Sequence, residues 1–127
     1  MDKKCILIVD DENEIIEILE RYLKERDFNV ITALNGSDGI EKARSNHVDL
    51  ILLDIILPDI DGPQVAKSLS NIETTKNIPI LFLSGIVASP EDKKMFSEVD
   101  VDGMKYRALG KPFGLSELIE SIHSILA

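Results

Sequence analysis

The stretch Val48-Asp49-Leu50-Ile51-Leu52-Leu53-Asp54 decides the fold, because a short, almost unbroken aliphatic run closes on a carboxylate. Such a run, apolar without alternation, is expected of a central parallel strand covered by helices on both faces. Cys5-Ile6-Leu7-Ile8-Val9 has the same character and closes on Asp10-Asp11. Three further apolar runs follow, Phe28 to Thr32, Ile78 to Leu83 and Tyr106 to Leu109, and each is separated from the next by a stretch of helical periodicity. Strict alternation of β and α predicts an open α/β sheet.

The helical stretches carry their own start signals. Ile15, Leu19 and Tyr22, with Ile16 and Leu23, form an apolar stripe, while Glu17 to Arg21 and Glu20 to Lys24 are spaced as i,i+4 pairs on a solvated face. Asp61-Gly62-Pro63 and Ser89-Pro90-Glu91-Asp92 each set a capping side chain just before a proline suited to a first helical turn. Leu115, Leu118, Ile119, Ile122 and Leu126 lie on one side of a last helix, as core packing. Val99-Asp100-Val101-Asp102-Gly103 is the most loop-like segment. Its Asp-x-Asp-Gly lacks the remaining ligand positions of an EF-hand loop, so it reads as a polar turn. With no repeat, low-complexity tract or linker, residues 1–127 are expected to form one domain.

Composition narrows the function. A chain of 127 residues is long enough to bury a core without a disulfide or structural metal. The lone Cys5 sits in an apolar run with no basic neighbour to hold a thiolate, so it is read as a small core hydrophobe. Only five apolar residues separate Lys4 from Asp10, too few for a signal peptide or a membrane span, and a cytoplasmic location is expected. The net charge of −9 opposes the phosphate backbone of nucleic acids, so direct nucleic-acid binding is not expected; an acidic surface suits basic patches on partner proteins.

In a parallel α/β sheet, ligands bind beyond the carboxyl ends of the strands. That rule selects Asp10-Asp11 after the first run, Asp54 after the third, Ser84-Gly85 after the fourth, and Gly110-Lys111-Pro112 after the fifth. Three carboxylates crowded at one edge repel unless a cation binds or protons are taken up. Mg²⁺ suits such oxygen donors and keeps waters that a phosphate oxygen can displace. An aspartate carboxylate can act as a nucleophile toward phosphorus, with Lys111 and Ser84 contacting the transferred group.

At these residues the chain resembles the receiver domains of two-component response regulators, over essentially its whole length. The marks are Val9-Asp10-Asp11, Leu53-Asp54 with Leu57-Pro58-Asp59-Ile60-Asp61-Gly62, Leu83-Ser84-Gly85, and Gly110-Lys111-Pro112-Phe113. The resemblance implies a three-layer flavodoxin-like (βα)5 fold with a five-stranded parallel sheet of order 2-1-3-4-5. It makes Asp54 the phosphoryl acceptor. It gives Asp11, Asp54 and the backbone carbonyl of Ile56 to Mg²⁺ directly and Asp10 through a water, with Lys111 and Ser84 on the phosphoryl group. Lys111-Pro112 is a bond that such domains commonly hold cis. The implied partners are a sensor histidine kinase or phosphotransfer protein, whose phosphohistidine is the donor, and a downstream protein. The implied role is a signalling switch that catalyses only its own phosphorylation and dephosphorylation. With no effector domain after Ala127, its output is expected to be a change in partner binding, in a stand-alone receiver or one cut from a larger protein.

The chain also departs from the family. Receiver domains generally carry Tyr or Phe three residues before the lysine, where this chain has Ala108. Tyr106 lies on the same face by period two and either deputises or is an ordinary half-buried tyrosine. The segment from Ser84 to Lys111 is longer than the family norm by about one helical turn. Both departures fall on the surface of fourth helix, fifth strand and fifth helix that usually carries output. Ile56 and Ile86 offer no group to orient an attacking water, so slow turnover of the phosphoryl group is expected. His47 and His123 are read as bystanders, since neither follows a strand at the acidic edge. Two alternatives stand beside the switch. A pseudo-receiver that binds without phosphorylation is motivated by Ala108. A metal-dependent phosphohydrolase would need a general acid and a substrate pocket that the short loops do not offer.

Overall fold

The computed structural model describes residues 3–85 and 98–127. In chain order the elements are β1 (Cys5–Val9), α1 (Asn13–Glu25), β2 (Asn29–Ala33), α2 (Gly36–Ser45), β3 (Leu50–Asp54), α3 (Gly62–Ser70), β4 (Ile80–Ser84), β5 (Glu98–Val101), β6 (Met104–Gly110) and α4 (Leu115–Leu126). The cap proposed at Ser89 to Asp92 and the residue Ile86 lie outside the described residues.

Local chemistry sets these elements. On α1, Ile16, Leu19 and Leu23 are buried, and Glu20 pairs with Lys24 at 2.8 Å on the outer side. The helix ends in a Schellman arrangement: Asp27 takes φ 66°, its N–H meets Lys24 O, and Phe28 N–H meets Leu23 O. Asp61 caps α3 by accepting from Gln64 N–H at 2.9 Å, with Pro63 in the first turn.

Among the described residues the sheet has six strands in the order β2-β1-β3-β4-β6-β5. The five parallel strands keep the expected order. The addition is β5, antiparallel to β6 at the edge, so the expectation of five parallel strands alone is corrected. The polar turn expected over Val99–Gly103 shrinks to Asp102-Gly103, with φ of 51° and 87°. A two-residue loop with both φ positive matches the twist of the flanking strands and makes a tight hairpin. Asp100 accepts from Gly103 N–H at 2.8 Å, and Lys67 of α3 reaches Asp102 at 3.0 Å. Across the ladder Glu98 faces Arg107 and Asp100 faces Lys105, opposite charges that favour this register.

The sheet divides the apolar interior in two. On one face Leu7, Val9, Ile51, Leu53 and Phe82 pack with Val65, Ala66 and Leu69 of α3 and Ala43 of α2. On the other, Ile6, Ile8, Leu50, Leu52 and Leu81 pack with Leu19 and Leu23 of α1 and Leu118 and Ile122 of α4. Alternate residues of each central strand serve alternate faces, as the pleat requires, and the result is the three-layer α/β/α arrangement expected. Among the described residues no helix is long and apolar enough to cross a membrane.

Candidate functional site

Strand register brings the predicted residues to one edge. Val9 of β1 pairs with Leu53 of β3, so Asp10 and Asp54 leave the sheet at the same level. Asp54 pairs with Leu83, Ser84 pairs with Gly110, and Lys111 is the next residue. Asp10, Asp54 and Ser84 are 0%, 6% and 2% exposed, whereas Asp11 lies at the surface. The Lys111-Pro112 bond is cis.

The Lys111 ammonium is 2.8 Å from Asp10 Oδ2 and 3.5 Å from both Asp54 Oδ2 and Glu12 Oε1. The other oxygens of the two buried acids meet backbone donors: Asp10 Oδ1 accepts from Glu12 N–H at 2.9 Å, and Asp54 Oδ1 from Ile56 N–H at 3.3 Å. Burial, with help from the Asp10 charge, pushes the Asp54 carboxyl up to about 6 against the pull of Lys111 and the Ile56 N–H. Burial draws the Lys111 ammonium down, but its hydrogen bond to Asp10 and the charges of Asp10, Asp54 and Glu12 outweigh this and raise it.

Carboxylate oxygens of Asp10, Asp11, Glu12 and Asp54 all lie within 4.8 Å of one another. An all-oxygen donor set facing one ammonium suits a hard divalent cation, and the cluster could hold a metal ion. Glu12 is a member that sequence reasoning passed over, although its place directly after Asp10-Asp11 was a visible signal. Asp59 was quoted only within a motif. Its carboxylate accepts from Gly36 N–H at 2.8 Å and Ser37 N–H at 2.9 Å, joining the loop after β3 to the start of α2. No local pattern announces that contact across 23 residues of chain.

Other predicted positions fall where the residues suggest. Ile56 is 63% exposed at the mouth of the site. His47 precedes β3 and pairs with Asp49 at 3.1 Å; His123 lies on the exposed side of α4, its ring 6.3 Å from that of Phe28. Cys5 begins β1, at the end opposite Asp10, where burial first and Asp49 second push its thiol upward. Ala108 is buried on the face shared with α2 and α3. Tyr106 is half-buried there, its ring edge-on to Phe82 at 5.6 Å and 85°.

Residues 6–123 match the family model described as the response regulator receiver domain. This chain belongs to that family. The receiver is 36% identical over 124 residues to the response regulator ArlR of Staphylococcus aureus, covering 95% of this chain and 52% of that one. It thus spans about half the length of the curated relatives it matches. Among solved structures it is similar to chemotaxis protein CheY4 of Vibrio cholerae, with TM-score 0.81, 26% identity, and coverage of 98% of this chain and 100% of that one. It is likewise similar to response regulator protein TrrA of Thermotoga maritima in complex with Mg²⁺-BeF, with TM-score 0.76, 32% identity and coverage of 97% and 99%. Receiver domains are signalling domains of two-component systems rather than enzymes in the ordinary sense, and they interact with histidine kinases or phosphotransfer proteins.

Proposed function

We propose that Asp54 accepts a phosphoryl group from the phosphohistidine of a sensor histidine kinase or phosphotransfer protein, in a Mg²⁺-dependent reaction, and that the product alters binding to a downstream protein. The observation that carries this reading is the meeting of Asp54, Lys111 and Ser84 with the carboxylate cluster at the strand ends.

An Asp54 carboxylate oxygen attacks phosphorus in line. The P–O bond forms as the P–N bond to the donor imidazole breaks, and the imidazole nitrogen leaves with the electron pair and takes a proton from water. Lys111 already stands beside Asp54 and offers a compact positive charge to one phosphoryl oxygen. The Ser84 hydroxyl, at the end of β4, donates to another. Asp11, Asp54 and the Ile56 carbonyl would hold Mg²⁺ directly and Asp10 through a water; the bound ion would supply further positive charge to the phosphoryl oxygens. That the similar receiver TrrA was solved in complex with Mg²⁺-BeF supports Mg²⁺ as the ion, and the carboxylate cluster here supports its place.

Readout is proposed to run through the family's surface of fourth helix, fifth strand and fifth helix, with β6 and α4 contributing here. Ala108 in the place of the usual aromatic, and Tyr106 already packed against Phe82, support a readout without an aromatic rotamer swing. The apolar, exposed Ile56 supports slow loss of the phosphoryl group. The net charge of −9 supports protein partners and a domain that does not itself grip nucleic acid, and a cytoplasmic location is part of the same proposal.

The test is incubation with Mg²⁺ and acetyl phosphate, followed by intact mass. One added phosphoryl group on wild type, absent from Asp54→Ala, is expected. No adduct on wild type, or one that persists in Asp54→Ala, would overturn the assignment.

A further inference from the structure

We propose that Asp59 is a positioning residue for the phosphoacceptor site: by gripping the N-terminus of α2 it holds the loop after β3 so that Ile56 can meet the metal. This rests on the reading of Asp54 and Mg²⁺ given above.

The loop spans residues 55–61. Its ends are tied by the sheet and by itself, with Ile55 N–H on Leu83 O at 3.1 Å and Gly62 N–H on Ile55 O at 2.7 Å. Between them Leu57 is buried, Ile60 packs against the apolar cluster and Pro58 has a fixed φ, but the Ile56 side chain is exposed. Asp59 supplies the polar anchor that ties the loop to another element. Gly36 and Ser37 open α2, and their N–H groups have no partner within the helix, so both oxygens of Asp59 find donors at the positive end of the helix dipole. The hydrogen bonds from Ser37 and Gly36 hold the Asp59 carboxyl below the usual carboxylate range. The approach is close enough that a Cβ on Gly36 would stand 2.5 Å from Ile60 Cγ1 and 2.9 Å from Val65 Cγ2.

The same helix has a second cap, and the comparison separates anchoring from capping. Asn35 accepts from Asp38 N–H at 2.8 Å, a hydrogen bond local to α2. Removing either cap weakens the helix end. Only Asp59 also releases the loop that carries Ile56.

Mg²⁺ titration by calorimetry, with thermal melts in EDTA, would be run on wild type, Asn35→Ala, Asp59→Ala and Asp59→Asn. Both alanine variants are expected to melt earlier in EDTA. Asn35→Ala should bind Mg²⁺ as wild type does, while Asp59→Ala should bind about tenfold or more weakly, on the scale of lost outer-shell support at metal sites. Asp59→Asn keeps one acceptor oxygen and should fall between; if Asp59→Ala does not fold, the comparison of Asp59→Asn with Asn35→Ala decides in the same direction. Equal Mg²⁺ affinity in wild type and the Asp59 variants, or equal weakening in Asn35→Ala, would overturn the inference. Failure of wild type itself to bind Mg²⁺ would overturn the underlying reading, and that result stands apart because no variant enters it.

Discussion

The Lys111 ammonium leans on Asp10, at 2.8 Å, more closely than on Asp54, at 3.5 Å. Asp10 has no exposed surface, so Lys111 is the charge that makes its burial tolerable. Lys111→Ala should therefore destabilise the protein in EDTA by about 2–4 kcal/mol, read from urea unfolding, because the buried acids lose their cation. Saturating Mg²⁺ should recover part of that loss. A change under about 0.5 kcal/mol, the range of ordinary surface substitutions, would show that the acids do not depend on the ammonium.

Asp54 should make the metal-free protein pH-sensitive. Its folded value of about 6 lies above the ordinary aspartate value of 3.8, so the folded state holds an extra proton between those limits. Stability in EDTA should fall as pH rises through roughly 4 to 6 and level off above that. Asp54→Asn removes the titration. It should match wild type near pH 4 and exceed it at pH 7 by on the order of 1–2 kcal/mol, a figure already reduced for solvent screening. Parallel profiles for the two proteins would contradict the argument.

Mg²⁺ should stabilise by mass action. At one hundred times its dissociation constant it adds about 2.7 kcal/mol, which for a chain of this size raises Tm by roughly 8–14 °C. Asp11 is exposed in the carboxylate cluster and has no part in the core, so Asp11→Ala should leave the EDTA Tm within a degree or two and abolish the Mg²⁺ increment. An undiminished increment in that variant would remove Asp11 from the metal site.

Gly62 is a close-approach glycine. A Cβ there would collide with the Asp54 carbonyl oxygen and stand 2.9 Å from Ile55 Cα, both backbone atoms that cannot rotate away. Gly62→Ala should cost about 1–3 kcal/mol and slow phosphorylation by acetyl phosphate. Gly85, with nothing within 4 Å of its missing Cβ, is the control, and its change to Ala should alter stability by less than about 0.5 kcal/mol.

Much of this was legible in the chain itself. The aliphatic run ending at Asp54 and its counterpart ending at Asp10 specify central strands, and the rule that ligands lie beyond strand ends then brings Asp10, Asp54, Ser84 and Lys111 together. The hairpin was missed because charged Glu98 and Asp100 break any apolar run, although Asp102-Gly103 is a strong two-residue turn signal. Val99 and Val101 of β5 pack against the apolar cluster, and Lys105 and Arg107 stand opposite Asp100 and Glu98, a charge match across the turn that hydrophobic patterning does not register. The grip of Asp59 on α2 was hidden for a different reason. A helix start can be capped from any distance along the chain, and sequence shows only the nearby cap, here Asn35.

The sheet that parts the interior also parts the energetics. Leu69 and Leu118 lie in separate apolar clusters on opposite sides of the strands. Truncating both should cost the sum of the single losses to within about 0.5 kcal/mol, since sites without shared partners are additive. The side bearing α2, α3 and Ala108 can then accumulate change without disturbing the α1 and α4 side. A fold insulated in this way can be retuned on one flank while the other keeps its old commitments.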